Sequence, residues 1–411
     1  MTRTAGIGFF LAAAMASGTA WAQTAAAPAA EPAEEEEEPG VEAGYGRLKL
    51  GALFQVWNLT VFAEEPQGGD PNWTNTFRIR RAELKLDAVI VEGRVDAGVM
   101  FDPSKPIFGA TAGDARHVTS DDDADADGNP DTLLVPRYRT NDSALQDLFV
   151  LFTVQKHLQL KVGQFKRPLG FEGPYSSAKL VFDERSMLSL ALTGDNRDLG
   201  AVATLSMDPA HLTMDLGVFN GTPILSGAVA SRSGLNEDDQ NAFKDLVLRI
   251  GASPIEHLEL GVSGLWGYEG SYHVQSSDPG TATDLRYGAW IRYATDRLDV
   301  RAEAMFQSFN VVGTPVQHAG GAYVLGEYRF LPSWGVGARL DWFDKNSDSD
   351  GDRSVDYNIT AGINWYLDDY HSKLQLAYTA SIEGDLSNVD TEPQSGQLAD
   401  DQVTLVAQVA F

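Results

Sequence analysis

Residues 81–88 read Arg-Ala-Glu-Leu-Lys-Leu-Asp-Ala, so that charged and apolar side chains alternate without a break. A strict period of two indicates a β-strand with one polar and one apolar face, because successive side chains of a strand point to opposite sides. The last ten residues, 402–411, repeat the alternation and end on Phe411. The pattern predicts a sheet with an apolar medium on one side and water on the other.

Sixteen segments of the chain show this alternation, and each has about the 9–11 residues that a tilted strand needs to cross a bilayer. The segments are 45–57, 76–89, 91–101, 144–154, 157–166, 198–207, 211–220, 244–252, 257–268, 283–293, 297–309, 321–330, 333–343, 355–366, 370–381 and 401–411. Short and long connections alternate strictly between them, which is typical of the periplasmic turns and extracellular loops of outer-membrane barrels. The sequence therefore predicts an all-β, antiparallel, transmembrane barrel.

A soluble β-sandwich also shows a period of two, but strand length, loop alternation and aromatic residues at strand ends favour the barrel. The aromatic residues predicted to form the interfacial girdles are Trp57, Phe309, Phe330, Trp334, Trp342, Phe343, Trp365, Tyr366 and Tyr370. Because no water is available in hydrocarbon, every backbone polar group there must be paired, and the sheet must close on itself.

The N-terminus is typical of a secreted protein. Arg3 precedes an apolar stretch over 7–15, and Ala20-Trp21-Ala22 forms a small-x-small cleavage site, so residues 1–22 are predicted to be a signal peptide. A membrane anchor is the alternative, but the apolar stretch is too short to span a bilayer comfortably. Residues 23–44 are rich in Ala, Pro and Glu and are predicted to be a disordered acidic leader before a barrel of residues 45–411.

Composition excludes several classes of function. A formal net charge of -27 makes nucleic acid a poor partner, because a polyanion would be repelled. The chain has no cysteine, so it has neither disulfides nor thiolate chemistry. Motifs for a serine hydrolase, a zinc protease or a phosphate-cradling loop are also missing from the sequence, so no enzyme is predicted.

A barrel of sixteen strands encloses more space than side chains can fill, so the predicted lumen is water. The charged faces of the strands should point into it, because a charge on the lipid face costs roughly 2–4 kcal/mol at the membrane midplane. The predicted function is an outer-membrane porin that passes small hydrophilic solutes by diffusion. A non-conducting, adhesin-like barrel is the alternative, and conductance in a planar bilayer would separate the two.

Two basic stripes are the candidate anion-binding residues of the lumen. Arg78, Arg80, Arg81 and Lys85 form one stripe, and Lys161, Lys166 and Arg167 form the other. Arg94, on the polar face of the segment 91–101, is a further pore-lining candidate. Adjacent Arg80 and Arg81 break the alternation, and a β-bulge there would aim both side chains inward. Such stripes would attract phosphate through charge-assisted hydrogen bonds. The alternative is that they are ordinary lumen charges, balanced by carboxylates such as Glu83 and Asp87.

Four segments, 77–86, 160–172, 176–186 and 217–222, resemble the phosphate- and pyrophosphate-selective porin family. The resemblance implies a trimer of sixteen-stranded barrels that conducts anions. It also implies a third loop, here 167–197, which folds into the barrel and narrows it. The charged residues that this loop would carry to the constriction are Lys179, Asp183, Glu184, Arg185 and Arg197. The mixed signs of the lumen depart from the family's basic pore, which leaves phosphate selectivity open.

Two further predictions concern partners. The C-terminal Phe411, which closes an alternating strand, resembles the signal by which outer-membrane proteins engage their assembly machinery. The loop 102–143 has the carboxylate spacing and turn glycine of a calcium site at Asp123, Asp125, Asp127 and Asp131, and 346–352 has a similar pattern. Calcium could bind weakly at these loops, or they could simply be acidic and solvated.

Overall fold

The computed structural model describes residues 41–43, 46–62, 73–105, 144–193, 197–208, 211–221, 244–272, 280–311, 315–348, 355–383 and 401–411. The predicted signal peptide lies outside these residues, as do most of the predicted leader and the four aspartates at 123–131. All described residues belong to the second of two compact units of the chain, Gly40–Phe411.

Within the described residues, seventeen strands form one antiparallel sheet. The strands are β1 Val41–Ala43, β2 Gly46–Phe62, β3 Trp73–Val91, β4 Val95–Phe101, β5 Leu145–Gln155, β6 Leu158–Lys166, β7 Arg197–Met207, β8 Leu212–Phe219, β9 Asp245–Ile255, β10 Leu258–Tyr272, β11 Gly280–Ala294, β12 Leu298–Val311, β13 Gln317–Leu331, β14 Trp334–Asp344, β15 Val355–Asp368, β16 Ser372–Glu383 and β17 Asp401–Ala410. A 3-10 helix, Ser177–Lys179, and a π-helical turn, Ser189–Thr193, lie between β6 and β7. No helix of the described residues is long and apolar enough to cross a membrane.

The sheet closes because the last strand pairs with β2, from Asp401 opposite Phe62 to Ala410 opposite Leu53. Beyond that pair, Ala52 and Phe411 exchange backbone hydrogen bonds of 2.9 and 3.1 Å. Strands β2–β17 therefore form a closed sixteen-stranded barrel, and each contains most of one predicted segment. The predicted fold class is confirmed.

The short strand β1 lies inside the segment predicted to be a disordered leader. It pairs with the first residues of β2, with Val41 opposite Leu48 and Ala43 opposite Gly46. The pairing is available because β17 ends opposite Leu53 and leaves the edge of β2 free below it. An unpaired strand edge accepts another strand readily. The prediction of disorder is therefore wrong for residues 41–43.

The bulge predicted at the two adjacent arginines is confirmed. Gln55 of β2 lies opposite Arg81, whereas the next residue, Val56, lies opposite Ile79. Arg80 is thus the extra residue, without a partner on β2. The insertion resets the alternation, so that Ile79 stays on the outer face while both guanidinium groups point into the barrel, where they contact the loop described below.

The outer face of the barrel is apolar, but the aromatic girdle was predicted only in part. The Trp334 and Trp365 rings stack with centroids 5.6 Å apart, and Trp365 is 38% exposed. In contrast, Trp57, Phe343 and Tyr366 are at most 2% exposed. These three lie at inward positions of their strands, where lumen residues bury them. Position near a strand end does not decide the face; the period of two does.

Candidate functional site

The long connection between β6 and β7 lies inside the barrel, and carboxylates of the barrel wall hold its backbone. Glu303 of β12 accepts hydrogen bonds from the backbone amides of Phe171, at 2.7 Å, and Glu172, at 3.2 Å. Asp341 of β14 accepts one from the amide of Met187 at 3.1 Å. All three acceptor–donor pairs join the inward face of a strand to the loop, which we call the inner loop, residues 167–193.

Side chains of β15, β16 and β17 hold the carbonyl groups of the same loop. Lys373 donates to the carbonyl oxygen of Leu180 at 2.5 Å, and Gln408 donates to that of Ala178 at 2.9 Å. Asn364 and Gln375 both donate to the carbonyl oxygen of Val181, at 3.1 and 2.9 Å. Side chains of the wall therefore supply hydrogen bonds to the loop backbone, as the backbone of a neighbouring strand would do in a sheet.

Apolar side chains of the inner loop form a small core against the wall. Phe182, 2% exposed, packs on β14 and β15 where the strands have Gly337 and Gly362. A Cβ at either glycine would lie 3.2 Å from the Phe182 ring, so a larger residue would make the ring move by a few tenths of an ångström. Leu188 and Leu192 are fully buried in the same core. Burial of each such side chain is worth roughly 1.5–3 kcal/mol.

The loop divides the interior into two parts. The inward faces of β9–β17, here the covered wall, are mostly buried, and the buried charged and amide residues at these positions are Asp245, Asp284, Asp299, Arg301, Glu303, Gln307, Glu327, Arg339, Asp341, Asn364, Lys373, Gln375 and Gln408. The inward faces of β3–β8, here the open wall, keep partly exposed residues, namely Lys85, Asp87, Asp96, Phe149, Leu151, Thr153, Lys161, Thr204, Thr213 and Asp215. The inward side chains that water can reach therefore concentrate on the open wall.

Glu184 of the inner loop occupies the two arginines of the bulge. Its Oε2 lies 2.5 Å from a guanidinium nitrogen of Arg80, and its Oε1 lies 3.1 Å from one of Arg81. Burial alone would raise the pKa of Glu184, but Arg81, Arg80 and Arg185 outweigh it and hold the pKa at about 2. Glu184 is thus ionised at neutral pH and offsets one of the two positive charges. Burial and the Glu184 charge raise the pKa of the adjacent Asp183.

Five other predicted basic residues also have polar partners, namely Arg167, Arg197, Lys85, Lys166 and Arg185. Arg167 contacts Asp245 at 3.3 Å, and Arg197 contacts Asp147 at 2.9 Å. Lys85 pairs with Asp87 two residues along β3 at 2.9 Å. Lys166 and Arg185 donate to the carbonyl oxygen of Tyr175, at 3.2 and 2.7 Å, so both hold the loop. Lys179 is exposed at the end of the 3-10 helix.

Arg94 is not on the barrel wall. The segment 91–101 was predicted as a strand, but β4 begins at Val95, and Arg94 is the last residue of the exposed turn 92–94. Its backbone amide closes the turn by donating to the carbonyl oxygen of Val91 at 2.9 Å. Gly93 has a φ of 66°, which glycine adopts without strain, and this explains why the chain turns here.

Two predicted basic residues lie against aromatic rings. The Arg78 guanidinium lies 4.7 Å from the centre of the Trp57 ring. The Lys161 ammonium lies 3.7 Å from the centre of the Phe149 ring and 4.6 Å from that of Phe165. Within the described residues, neither cation has a carboxylate at ion-pair distance. Arg78 is exposed and Lys161 is half-buried, so both remain accessible from the lumen.

The anchors of the inner loop were not predicted from the sequence. Glu303 and Asp341 look like any inward carboxylate, and their patterns Arg301-x-Glu303 and Arg339-x-Asp341 resemble Lys85-x-Asp87. Glycine at 337 and 362 was the available signal, because glycine inside a strand marks a close approach. Which side chain approaches depends on how the loop folds, and no periodicity reports that.

The predicted calcium residues at 123–131 lie outside the described residues. Of the second pattern, Asn346 and Asp348 are described, and the Asp348 carboxylate accepts a hydrogen bond from the backbone amide of His318 at 2.7 Å. No group of three or more His, Cys, Asp or Glu within the described ranges could hold a metal ion.

A closed sixteen-stranded barrel with an apolar outer face and a loop on its inner wall defines a class, the outer-membrane porins. Solved structures share the fold. The channel DcaP of Acinetobacter baumannii is 12% identical, with 90% of this chain and 99% of that chain covered and a TM-score of 0.59. OmpT of Vibrio cholerae is 11% identical, with 91% of this chain and 100% of that chain covered and a TM-score of 0.57. An anion-selective porin from Comamonas acidovorans is also similar (11%, 89% and 100%, TM-score 0.54). A search of curated sequences finds no match.

The family model of the phosphate-selective porins O and P matches residues 64–411. The chain belongs to this family. It is an outer-membrane porin, a passive channel for small hydrophilic solutes that crosses the outer membrane as a multi-pass β-barrel. The sequence-based prediction of the family and of its channel function is confirmed.

Proposed function

We propose that this channel conducts anions in preference to cations, without a tight phosphate site at the bulge. The observation that carries the proposal is the state of the charges beside the solute path. Arg78 and Lys161 rest on aromatic rings without a carboxylate partner among the described residues. Arg80, Arg81 and Arg167, which could have bound phosphate, are occupied by Glu184 and Asp245.

The carboxylates of the open wall are mostly neutralised. Asp87 pairs with Lys85 at 2.9 Å, and Asp147 pairs with Arg197 at 2.9 Å. Asp215 lies 3.8 Å from a guanidinium nitrogen of Arg249. Asp96, next to the periplasmic turn, is an exception among the described residues. An uncompensated cation lowers the energy of a nearby anion in a narrow aqueous pore, so the balance favours anions modestly.

Reversal potentials test the proposal directly. The purified porin is inserted into a planar bilayer between two KCl concentrations, and the sign of the zero-current potential gives the preferred ion. We expect chloride to be preferred, and adding phosphate should leave chloride conductance nearly unchanged at millimolar concentration. A preference for potassium would contradict the anion preference, and a block by micromolar phosphate would contradict the absence of a tight site.

Three further properties belong to the same proposal. We infer that the porin is a homotrimer, as the family resemblance implies, and that the assembly machinery engages β17 through Phe411. In support, Phe411 is 70% exposed at the end of the closing strand. Cross-linking in native membranes would show the trimer, and Phe411→Ala should lower the amount of inserted protein. The proposed function includes no catalytic step.

Weak calcium binding by the acidic loops is likewise a proposal. It rests on the spacing of Asp123, Asp125, Asp127 and Asp131 in the sequence, which matches the loop geometry that calcium requires. Calorimetry with the isolated porin tests it. Heat that saturates at low millimolar calcium and disappears in Asp125→Asn supports the site, whereas no heat excludes it.

A further inference from the structure

Among the described residues, most cations of the barrel interior that contact an aromatic ring are also held by a carboxylate. Arg339 lies over Phe182 and binds Asp341 at 2.7 Å, and Arg329 lies over Tyr366 and binds Asp369 at 2.7 Å. In these pairs the carboxylate cancels the charge. Two cations differ, namely Arg78, which lies on Trp57, and Lys161, which lies on Phe149 and Phe165. In the described part of the chain they contact a ring but have no carboxylate at ion-pair distance.

An aromatic ring and a carboxylate hold a cation in different ways. The ring attracts it through a quadrupole and has no net charge, so the cation keeps its full charge toward the lumen. A carboxylate holds the cation more firmly but neutralises its charge. A ring therefore suits a position where a cation must stay fixed and still attract a passing anion.

The rings beneath Lys161 are themselves fixed. Phe149 lies over Gly98 of β4, where a Cβ would come within 2.5 Å of the ring. Its edge contacts Phe165 with centroids 6.4 Å apart, and Phe165 in turn contacts Phe219 at 5.6 Å. The latter two side chains are at most 4% exposed. A packed aromatic chain thus connects the Lys161 contact to the core of the barrel.

Trp57 gives Arg78 a similar base. Its ring is 2% exposed and lies on the inward face of β2, directly opposite Arg78 in the register. Arg80, which contacts the same ring at 5.5 Å, is bound by Glu184, so the ring supports one neutralised and one accessible guanidinium. The exposed guanidinium, that of Arg78, lies on the side of the bulge toward the extracellular end of β3.

We propose that Trp57, Phe149 and Phe165 are positioning residues for ion selectivity, which present Arg78 and Lys161 to passing anions in unneutralised form. This inference rests on the proposed anion preference and names the residues that produce it. If the rings are removed, the total charge of the pore stays constant, but the cations can turn toward nearby carboxylates. For Lys161 these are Asp147 of β5 and Asp87 of β3, two carboxylates whose charges act on it.

The test uses the full-length porin in a planar bilayer under a KCl gradient. Lys161→Met should move the reversal potential toward zero, because it removes an accessible charge. Phe149→Leu should move it in the same direction although every charge is retained, and Phe149→Tyr, which keeps a ring, should behave as the wild type. Leu151→Ala, one inward position along β5, is the matched control and should change nothing.

Each outcome decides a different statement. If Lys161→Met shifts the reversal potential and Phe149→Leu does not, the rings have no part in selectivity and the inference is overturned. If neither shifts it, Lys161 is not a selectivity site. A wild-type preference for potassium would overturn the proposed function itself. If Phe149→Leu does not insert into the membrane, Gly98→Ala is used in its place. Its added methyl group displaces the Phe149 ring.

The same design applied to Trp57 gives a second, independent measurement. Trp57→Phe keeps a ring under Arg78 and should retain the wild-type reversal potential, whereas Trp57→Leu should lose part of it. Arg78→Gln gives the size of the loss expected from the charge alone. A Trp57→Leu channel with wild-type selectivity would contradict the inference at this site.

Discussion

The covered wall and the open wall are built from the same sequence pattern, a basic residue followed two positions later by an acidic one. On the covered wall, Arg339 and Asp341 form a contact of 2.7 Å with side chains at most 6% exposed. On the open wall, Lys85 and Asp87 form one of 2.9 Å with side chains 47% and 41% exposed. The sequence pattern is the same, but the surroundings differ, because the inner loop buries the Arg339–Asp341 pair and leaves the Lys85–Asp87 pair exposed.

The difference decides what each charge can do. In the covered wall a charge is dehydrated, so losing one partner of a pair costs roughly 3–5 kcal/mol. On the open wall an exposed pair contributes about 0–1 kcal/mol and is screened by salt. Charges of the first kind hold the loop, and charges of the second kind meet the solute. The predictions below test this division, beginning with the largest expected effect.

Removing the main apolar anchor of the loop should have the largest effect. Phe182→Ala deletes a ring that is 2% exposed, and such core truncations cost roughly 3–5 kcal/mol. We expect the loop to leave the covered wall, which would change single-channel conductance and make it noisier. Phe306→Ala, the same substitution on the outer face, is the control and should keep the wild-type step. Equal conductance of the two variants would contradict the division into two walls.

Glu303 should rank second, because it serves two backbone amides. Glu303→Ala leaves the buried amides of Phe171 and Glu172 without an acceptor, at roughly 1–3 kcal/mol each. Hydrogen exchange followed by mass spectrometry should show faster exchange in peptides of the inner loop. Asp87→Asn on the open wall is the matched carboxylate change and should leave the loop protected. Unchanged protection in Glu303→Ala would show that the loop does not depend on these two bonds.

The contact of Glu184 with the bulge arginines predicts a dependence on pH. The pKa of Glu184 is lowered from 4.5 to about 2, so its stabilising contribution is complete above about pH 4.5 and lost as the pH falls through 2. That shift corresponds to something on the order of 3 kcal/mol. We expect conductance or noise to change between these pH values in the wild type and not in Glu184→Gln.

At neutral pH the Glu184→Gln channel should also be more anion-selective, because one negative charge beside Arg80 and Arg81 is removed. The reversal potential under a KCl gradient measures the change in selectivity. Asp87→Asn is the control, because it removes the carboxylate partner of Lys85 and leaves Glu184 in place. A Glu184→Gln channel with wild-type selectivity at pH 7 would mean that the two arginines do not act on the solute path.

The smallest effect is expected for the exposed pair of the open wall. Lys85→Met should change thermal stability hardly at all, because pairs of this exposure contribute about 0–1 kcal/mol. The selectivity should move slightly toward cations, because Asp87 becomes unpaired. A loss of stability comparable to that of Phe182→Ala, measured by the melting temperature of the folded barrel, would contradict the view that the open wall is only solvated.

The position of the barrel strands followed from the sequence because each is a local property. Hydrocarbon outside and water inside require a period of two, and a pair such as Leu84 and Lys85 displays it without reference to the rest of the chain. Even the bulge could be predicted, because Arg80 and Arg81 interrupt the period and cannot both face lipid. The turn at Arg94 was misplaced by a few residues, since the alternation does not mark where a strand ends.

The sequence by itself thus determined the barrel, its strands and its family. Only the tertiary structure decided which inward charges are available. Glu184 and Arg81 are about a hundred positions apart, and Phe182 meets Gly337 and Gly362 across an even longer separation. Such contacts depend on the path of the inner loop across the lumen. A period of two specifies only which face a side chain is on, and whether a loop then covers that face is settled by packing between distant parts of the chain.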